Sequence, residues 1–438
     1  MQSPELTLNA NMYLAGVTLL LAYILIFSEV IHRTSAAIIG AVAMVGIGMY
    51  FGFYTQEQAL LAIDGNTILL LTGMMMIVVM LRPTGGFEYL AIRIAKLSHG
   101  DPRRLLVYLG AAVSIVTMFL DNVTTVLIFA PLTVLITRIL AINPLPYLVA
   151  EAMLSNIGGI ATLVGDPPNI IIGSAGNIDF TTFIIHMFPP IAVIWFGTVF
   201  VLLYMFRDYL EPTDKNLLDL DETKAITDRV GLLKGMIALA ITILLFFVHH
   251  HFHFYPAYVA FIGVAISVAL LRPDPEPVFG KVEWSVLFFF AGLFIIVGGV
   301  EASGLLELIG HYFAEAAKDP NKLLITGVVL MWAAAVLSAV VDNIPFTVTM
   351  APIIVGLESQ GVNIMPLWWA LALGVGLGGN GSHIGATANV ICIAESERCG
   401  IPEARITPLL WLRIGMPTMV FCLILASALY ISFFEFFM

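Results

Sequence analysis

Two aspartates inside apolar stretches are the residues of this sequence best suited to ion chemistry. Asp121 and Asp342 are each followed by an asparagine, and each lies within a long apolar run. An ionised Asp at the centre of a bilayer costs at least ~2.5–3.5 kcal/mol, and intramembrane acids mark ion or proton pathways. We expect at least one of them to bind a cation or a proton. The alternative is that each only caps the following helix, because an N-cap side chain accepts a backbone N–H.

Residues 155–173, SNIGGIATLVGDPPNIIIG, are rich in glycine and proline where an apolar helix should continue. Pro167 and Pro168 have no backbone N–H to donate, so a helix must open there. A break inside a membrane is tolerated only where the freed backbone faces protein or a watery cavity. The sequence therefore predicts a site in which the carbonyls of residues 162–165 face a ligand. Asp166 is a further titratable candidate in it, the alternative being a turn residue before the prolines.

The second half of the chain repeats these motifs at a nearly constant distance. The Asp-Asn pair recurs 221 residues later, and the glycines and the asparagine of the break recur 220 residues later. The acid and the prolines do not recur, since Ala386-Thr387-Ala388 replaces Asp166-Pro167-Pro168. Internal repeats with Gly/Pro-interrupted segments at matching places indicate the binding site of a transporter.

The predicted substrate- or ion-binding residues are the polar and glycine positions of these motifs. They are Asp121, Asn122, Thr124, Thr125, Asn156, Gly158, Gly159, Thr162, Gly165, Asp166, Asn169, Asp342, Asn343, Thr347, Gly378, Gly379, Asn380, Ser382, Gly385, Thr387 and Asn389. The predicted carriers of a coupling proton are Asp121, Asp342, Asp166 and Glu151. Glu151 lies two turns before the first break, where the alternative is a solvated position at the membrane interface.

Neither the histidines nor the cysteines predict a metal centre. Four clustered histidines fall in a predicted external loop, where we expect a solvated connection and where a metal site is the alternative: His249, His250, His251 and His253. Three cysteines form no CxxC pair and are too scattered for a three-thiolate arsenic site, although thiolates bind soft metals. They are Cys392, Cys399 and Cys422.

The composition is that of an integral membrane protein. Of 438 residues, 60% are hydrophobic and 11% are charged, whereas soluble domains carry about 25% charged residues. Apolar runs of about 18 or more residues recur, which is the length that crosses a bilayer as a helix. We therefore expect an all-α fold. The net charge of −11 argues against a nucleic-acid partner.

The motifs divide the chain into two membrane repeats. The predicted first repeat spans 11–206, with a hairpin at about 104–137 and a broken helix at about 145–174. A cytoplasmic linker follows at 207–230. The predicted second repeat spans 231–436, with a hairpin at about 323–357 and a broken helix at about 366–394. Lys and Arg flank both ends of the first hairpin, so the positive-inside rule predicts a re-entrant hairpin that opens to the cytoplasm. An odd number of crossings in the first half makes the repeats inverted.

Two pairs of motifs resemble those of the ion transporter superfamily. They are DNVTT with GGIATLVGDPPN, and DNIPFT with GGNGSHIGATAN. The likeness is greatest to its branch of arsenite permeases and the melanosomal P protein. It implies a scaffold and a transport domain that moves as an elevator and carries the hairpins and broken helices. It also implies a homodimer formed through the scaffold. The dicarboxylate carriers of the superfamily bear Ser-Asn-Thr at both hairpin tips. Asp-Asn stands there in this chain, with no Arg or Lys in the motifs, which disfavours an anion.

These features predict a secondary active transporter and not an enzyme. The first interpretation is efflux of arsenite or antimonite by proton antiport across the inner membrane. The protein would then be a multi-pass protein of that membrane. A sodium/proton antiporter is the first alternative, and an anion channel or organic anion carrier is the second. The expected partners are the lipid bilayer and a small inorganic substrate or ion. No cofactor is expected beyond a proton or Na⁺ as coupling ion.

Overall fold

The computed structural model describes residues 8–28, 30–211, 222–317, 320–341 and 343–438. All regular secondary structure in these ranges is helical, which confirms the predicted all-α class. The α-helices are α1 (Ala10–Phe27), α2 (Arg33–Phe51), α3 (Gln56–Ala62), α4 (Gly65–Leu81), α5 (Gly86–Leu97), α6 (Pro102–Thr117), α7 (Asn122–Leu140), α8 (Leu145–Ile160), α9 (Pro167–Ala175), α10 (Phe180–Met205), α11 (Arg229–Val248), α12 (Pro256–Leu271), α13 (Pro275–Gly280), α14 (Trp284–Ala302), α15 (Leu305–Ala317), α16 (Pro320–Val341), α17 (Asn343–Glu358), α18 (Met365–Gly378), α19 (Thr387–Arg398) and α20 (Pro408–Ser432).

Eight helical stretches in the described ranges are long and apolar enough to cross a membrane. They are Arg33–Phe51, Gly65–Thr84, Asn122–Leu140, Phe180–Met205, Arg229–Phe252, Trp284–Ala302, Lys322–Val340 and Pro402–Ser432. Their outward faces carry large apolar side chains such as Val42, Phe200 and Leu244, which suit contact with lipid. The protein is therefore a multi-pass membrane protein.

The helices pack as two groups. In one group, which we call the α2/α14 group, α2 packs on α1 and α14, and α12 packs on α4 and α11. In the other, the broken-helix group, α6 packs on α8, α16 packs on α18, and the short helices α9 and α19 pack on α17 and α7. Each main contact has a counterpart in the other half of the chain: α1–α2 with α11–α12, α6–α8 with α16–α18, and α7–α19 with α17–α9.

Both interruptions of helix lie at the glycine-rich motifs. The first separates α8 from α9, and the second separates α18 from α19. The residues that precede the restarted helices, Asp166 and Ala386, have nearly equal extended backbones, with φ of −143° and −150°. Pro167 and Pro168 are the first two residues of α9, where the fixed φ of proline suits a helix start and the missing N–H is not needed.

Candidate functional site

The starts of several helices surround one small cavity. Its wall includes the first residues of α2, α7, α9, α17 and α19, and the beginning of α14. The polar lining residues are Arg33, Asp121, Asn122, Asp166, Glu283, Asn343 and Thr387. The centre of a water-sized sphere can reach about 20 Å³ of this cavity. The cavity therefore has room for about one water molecule or small ion.

Asp121 caps α7 with its side chain. Its carboxylate accepts hydrogen bonds from Thr124 N at 2.9 Å and from Thr124 Oγ1 at 2.6 Å. Asp121 therefore acts as a helix cap, which was one of its two interpretations, and the same carboxylate also lines the cavity. Its predicted counterpart, Asp342, lies outside the described residues.

Asp166 occupies the capping position of α9 but does not cap that helix with its side chain. A capping side chain bonds to the N–H of the second or third helical residue. The second residue here is Pro168, which has none, and the N–H of Asn169 bonds to the Asp166 carbonyl at 2.9 Å. The carboxylate instead accepts from the Asn122 amide at 3.4 Å and from the Asn343 amide at 3.3 and 3.1 Å. The carboxylate of Asp166, which is 2% exposed, therefore bonds to side chains at the cavity and not to its own helix.

A chain of buried amides leads away from Asp166 into the second half of the molecule. Asn122 Nδ2 also donates to Asn156 Oδ1 at 3.2 Å. Asn156 Nδ2 donates in turn to Asn380 Oδ1 at 2.9 Å and to Asn389 Oδ1 at 3.0 Å. Since each amide donates to the next, the network ties both helix breaks to one carboxylate.

The two breaks are braced by the same contacts. Asn169 Nδ2 donates to the carbonyls of Gly159 at 3.0 Å and Thr162 at 2.8 Å. In the second break the corresponding donor is Asn389, and the acceptors are the carbonyls of residues 379 and 382 at 2.7 and 2.9 Å. The Thr162 carbonyl, which we expected to face a ligand, is therefore occupied by a side chain of the same break.

The predicted glycines allow close approach of backbones. A Cβ added to Gly158 would lie 2.7 Å from the backbone of Ser114 on α6, and Gly378 has the same relation to Ala335 on α16. Gly159 and Gly165 face each other across the first break, as Gly379 and Gly385 do across the second. Five of the six glycines thus lie where a side chain would collide with backbone, and a Cβ at Gly379 would make a tight contact, 3.3 Å from the Gly385 carbonyl oxygen.

The remaining predicted residues lie apart from the cavity lining. Thr125 is buried in α7, and Thr347 bonds to the Asn343 carbonyl within α17 at 2.7 Å. The Ser382 and Thr162 hydroxyls bond to carbonyls of Ala339 and Met118, respectively. Thr124 faces a larger opening described below.

Glu151 is 1% exposed and lies within α8. One of its carboxylate oxygens is bonded by Thr133 of α7, and the other has no hydrogen-bond partner among the described residues. It is a buried acid of the broken-helix group, separate from the cavity. Among the described residues, no three His, Cys, Asp or Glu side chains gather as metal ligands would.

Sequence reasoning did not find Arg33 as a site residue. Its Nη1 donates to Thr387 Oγ1 at 2.9 Å, and its guanidinium lies over the ring of Phe289, 5.5 Å from the centroid. No local motif surrounds Arg33, and its place between two apolar runs is typical of a basic connection between membrane helices. The motifs themselves contain no Arg or Lys, so the positive charge of the cavity wall comes from Arg33, in a distant part of the chain.

One larger opening lies next to the cavity, and a second one shares no wall with it in the described part of the chain. A charged vestibule of about 690 Å³ is lined by Arg82, Glu88, Lys281, Glu283 and neighbouring apolar residues, and it shares Met75 and Glu283 with the cavity. An acidic vestibule of about 420 Å³ contains Asp64 and Glu301 and has no lining residue in common with the cavity among the described residues. The cavity is thus adjacent to the charged vestibule.

Comparison with known proteins identifies the family. A sequence model described as "Citrate transporter" (CitMHS) matches residues 23–374. An uncharacterised transporter of Mycobacterium tuberculosis is 38% identical over 400 residues, which span 89% of this chain and 92% of the relative. The human P protein is 31% identical over 494 residues, which span 94% of this chain and 58% of the P protein.

The fold also has a solved counterpart. The crystal structure of the YdaH transporter of Alcanivorax borkumensis, described as having an unusual topology, matches with a TM-score of 0.61. The match covers 97% of this chain and 99% of YdaH at 16% identity, so it speaks for the fold alone. With the family model spanning most of the chain, this protein belongs to the citrate transporter family of the ion transporter superfamily and is a membrane transporter.

Proposed function

We propose that this protein is a secondary active transporter in which Asp166 carries the coupling proton. The observation that carries the proposal is the placement of Asp166: a buried carboxylate, held by amides from both halves of the chain, at a cavity with room for about one small ion. A carboxylate at such a place changes its charge when a proton binds. This change alters its electrostatic interaction with the charged and polar side chains of the cavity wall.

The broken-helix group is the moving part in this proposal. It would slide as an elevator against the α2/α14 group, with the repeats inverted across the membrane. The recurrence of each main helix contact in the other half of the chain supports the repeat. The placement of the cavity between the two groups supports the motion, since cargo held there would change its exposure as they slide. A homodimer formed through the α2/α14 group belongs to the same proposal.

The cargo we propose first is arsenite or antimonite, exported across the inner membrane in exchange for protons. Arsenite is neutral as As(OH)₃ at ordinary pH, and the neutral amides of Asn122 and Asn343 bond to the acid, with Asn156 bonded in turn to Asn122. Such amides both donate and accept, as a trihydroxy species requires. Sodium is the alternative cargo, because the oxygens of Asp121 and Asp166 are hard ligands and the cavity is small.

An organic anion is a second candidate, and Arg33 is the observation that favours it. A guanidinium recognises carboxylates through paired hydrogen bonds, and helix N-termini attract negative charge. The family description, "Citrate transporter", points the same way. The acids at positions 121, 166 and 283 oppose it, since they line the same wall.

The test uses the purified protein in proteoliposomes that contain a pH-sensitive dye. Arsenite, sodium or citrate is added outside in separate experiments, and the proton flux that each one drives is recorded. We expect Asp166→Asn to lower the cargo-driven proton flux at least about tenfold, which corresponds to about 1.4 kcal/mol. Asp274→Asn, at an exposed acid that caps the short helix α13, is the matched control.

The outcome also identifies the cargo. Proton flux driven by arsenite alone supports the first proposal, and flux driven by sodium alone replaces it with a sodium/proton antiporter. Citrate uptake without proton flux supports the anion carrier. If Asp166→Asn retains the flux and its pH dependence, Asp166 is not the coupling group.

A further inference from the structure

Arg33 is a positive charge that belongs to one helix group and reaches the other. It is the first residue of α2, and its guanidinium lies over Phe289 of α14, a helix in the same group. Its Nη1 bonds to Thr387 at the first residue of α19, in the broken-helix group. The contact therefore crosses the boundary along which the two groups would slide.

The charges that face Arg33 come mainly from the broken-helix group. The acids of the cavity wall are Asp121 at the start of α7, Asp166 at the start of α9 and Glu283 at the start of α14. The first two move with the broken-helix group, whereas Glu283 belongs with Arg33. Attraction between opposite charges is stronger in a confined site of low dielectric than in bulk water. Ionised Asp121 and Asp166, which line the same wall as Arg33, would therefore attract the broken-helix group toward α2.

A cation that binds at these acids weakens the same attraction. A proton or Na⁺ at Asp166 neutralises a charge that Arg33 would otherwise face, so Arg33 and the coupling ion compete for one carboxylate. We propose that Arg33 is an electrostatic latch that holds the unloaded broken-helix group in place and releases it when a cation binds. The latch rests on the proposed function in its sodium/proton form, where each side of the exchange is a cation, and it explains how such an exchanger keeps its empty form from moving.

The test measures the reactivity of a cysteine in the cavity and requires no cargo. Ile344 lines the cavity at the start of α17, so Ile344→Cys reports on its opening. The native cysteines, Cys392, Cys399 and Cys422, are all buried, which keeps the background low. A membrane-impermeant maleimide is used, and rates are divided by those of Ser359→Cys, an exposed position, to remove the effect of pH on the thiol itself.

We expect the protein with Ile344→Cys to react slowly near neutral pH and faster in acid, where the carboxylates are protonated. Adding Arg33→Gln should raise the neutral-pH rate about tenfold and abolish its pH dependence, because loss of a charge pair in a confined site changes an equilibrium constant by at least that factor. Arg33→Lys keeps the charge and should stay near the parent rate. Thr387→Val removes only the hydroxyl and should fall in between.

A second readout is the proton leak of proteoliposomes without cargo, which needs no introduced cysteine. Arg33→Gln should raise this leak about tenfold over the native protein and Arg33→Lys, since an unlatched empty carrier can return and complete a proton cycle. Equal labelling of Arg33→Gln and its parent overturns the latch, and so does Arg33→Lys labelling as fast as Arg33→Gln. A raised KM for citrate in Arg33→Gln with unchanged labelling overturns it as well, in favour of an anion-binding arginine. Failure of the proposed function appears separately, as Asp166→Asn with unchanged proton coupling, because the Arg33 comparisons need no cargo.

Discussion

At the scale of single residues, hydrogen bonds of the Asn156 side chain join the two halves of the broken-helix group. It accepts from Asn122 and donates to Asn380 and Asn389, and all four side chains are buried. A buried polar network stabilises a structure only when its members are satisfied, and removal of one member strands the others. Asn156 therefore has a structural role in addition to any contact with an ion.

We predict that Asn156→Ala lowers the stability of the folded protein by about 1–3 kcal/mol, because it leaves buried amide groups without partners. Asn156→Asp, of equal size, should be worse, since its carboxylate would face the two acceptor oxygens of Asn380 and Asn389. Thermal unfolding in detergent is the measurement, with Ser359→Ala at an exposed position as the control. If Asn156→Ala unfolds at the temperature of the control, the network is not stabilising.

At the scale of elements, small residues determine how closely the helices of the breaks can pack. Gly158 lets α8 lie against α6, and Gly378 lets α18 lie against α16. Small residues at helix contacts are common in membrane proteins because they allow backbones to approach. The glycines at matching positions in the repeats thus have a packing reason that needs no ligand.

We predict that Gly158→Ala and Gly378→Ala each destabilise the protein by about 1–3 kcal/mol, because the added methyl group is forced against backbone that cannot move aside. Gly46→Ala in α2 is the matched control: a Cβ there meets nothing within 4 Å. Alanine favours a helix over glycine, so this control should be neutral or slightly stabilising. Comparable losses at all three positions would mean that the close backbone contact at Gly158 and Gly378 does not decide the effect.

At the scale of the whole molecule, the end of the linker between the two halves is attached to the first half. Thr227 N donates to the Thr84 carbonyl at 3.0 Å, beside the turn between α4 and α5. Glu222 forms ion pairs with Lys96 and, at 2.9 Å, with Arg93, both on α5. The hydrogen bond from Lys96, with a backbone N–H and Arg93, lowers the pKa of Glu222 from its usual 4.5 to about 2.

We predict that the contribution of Glu222 to the stability of the folded protein decreases as the pH falls through the acidic range. A carboxyl group whose pKa is lowered on folding stabilises the folded state above its unfolded pKa, and that stabilisation is lost as the pH falls toward the folded pKa. The melting-temperature difference between the native protein and Glu222→Gln should therefore be small but positive at neutral pH. It should shrink below about pH 4.5 and vanish near pH 2. Glu403→Gln, at an exposed glutamate, should show no such trend, and a constant difference for Glu222→Gln would contradict the ion-pair origin.

The local chemistry of the sequence was enough to predict the membrane class and the family. Long apolar runs predicted the spanning helices, because crossing a bilayer requires about 20 apolar residues in a row. Pro167 and Pro168 predicted an opened helix, and the structure starts α9 at Pro167. The loss of side-chain capping by Asp166 is only partly visible in the sequence: Pro168 removes one of the two N–H groups that a cap could use, but the bond of the other, Asn169 N–H, to the Asp166 carbonyl appears only in the folded structure.

The tertiary structure alone decided which groups share the cavity. Arg33 and Thr387 are 354 positions apart, and no motif around either one signals the contact. Asn156, Asn380 and Asn389 do lie in the predicted motifs, but only the folded structure shows that they bond to each other. It also adds Glu283, which no motif includes and which lies at the wall common to the cavity and the charged vestibule. Helix type and membrane insertion depend on neighbouring residues in the chain, so sequence determines them. The balance of charge around Asp166 depends on how distant helices pack, so it appears only in the folded molecule.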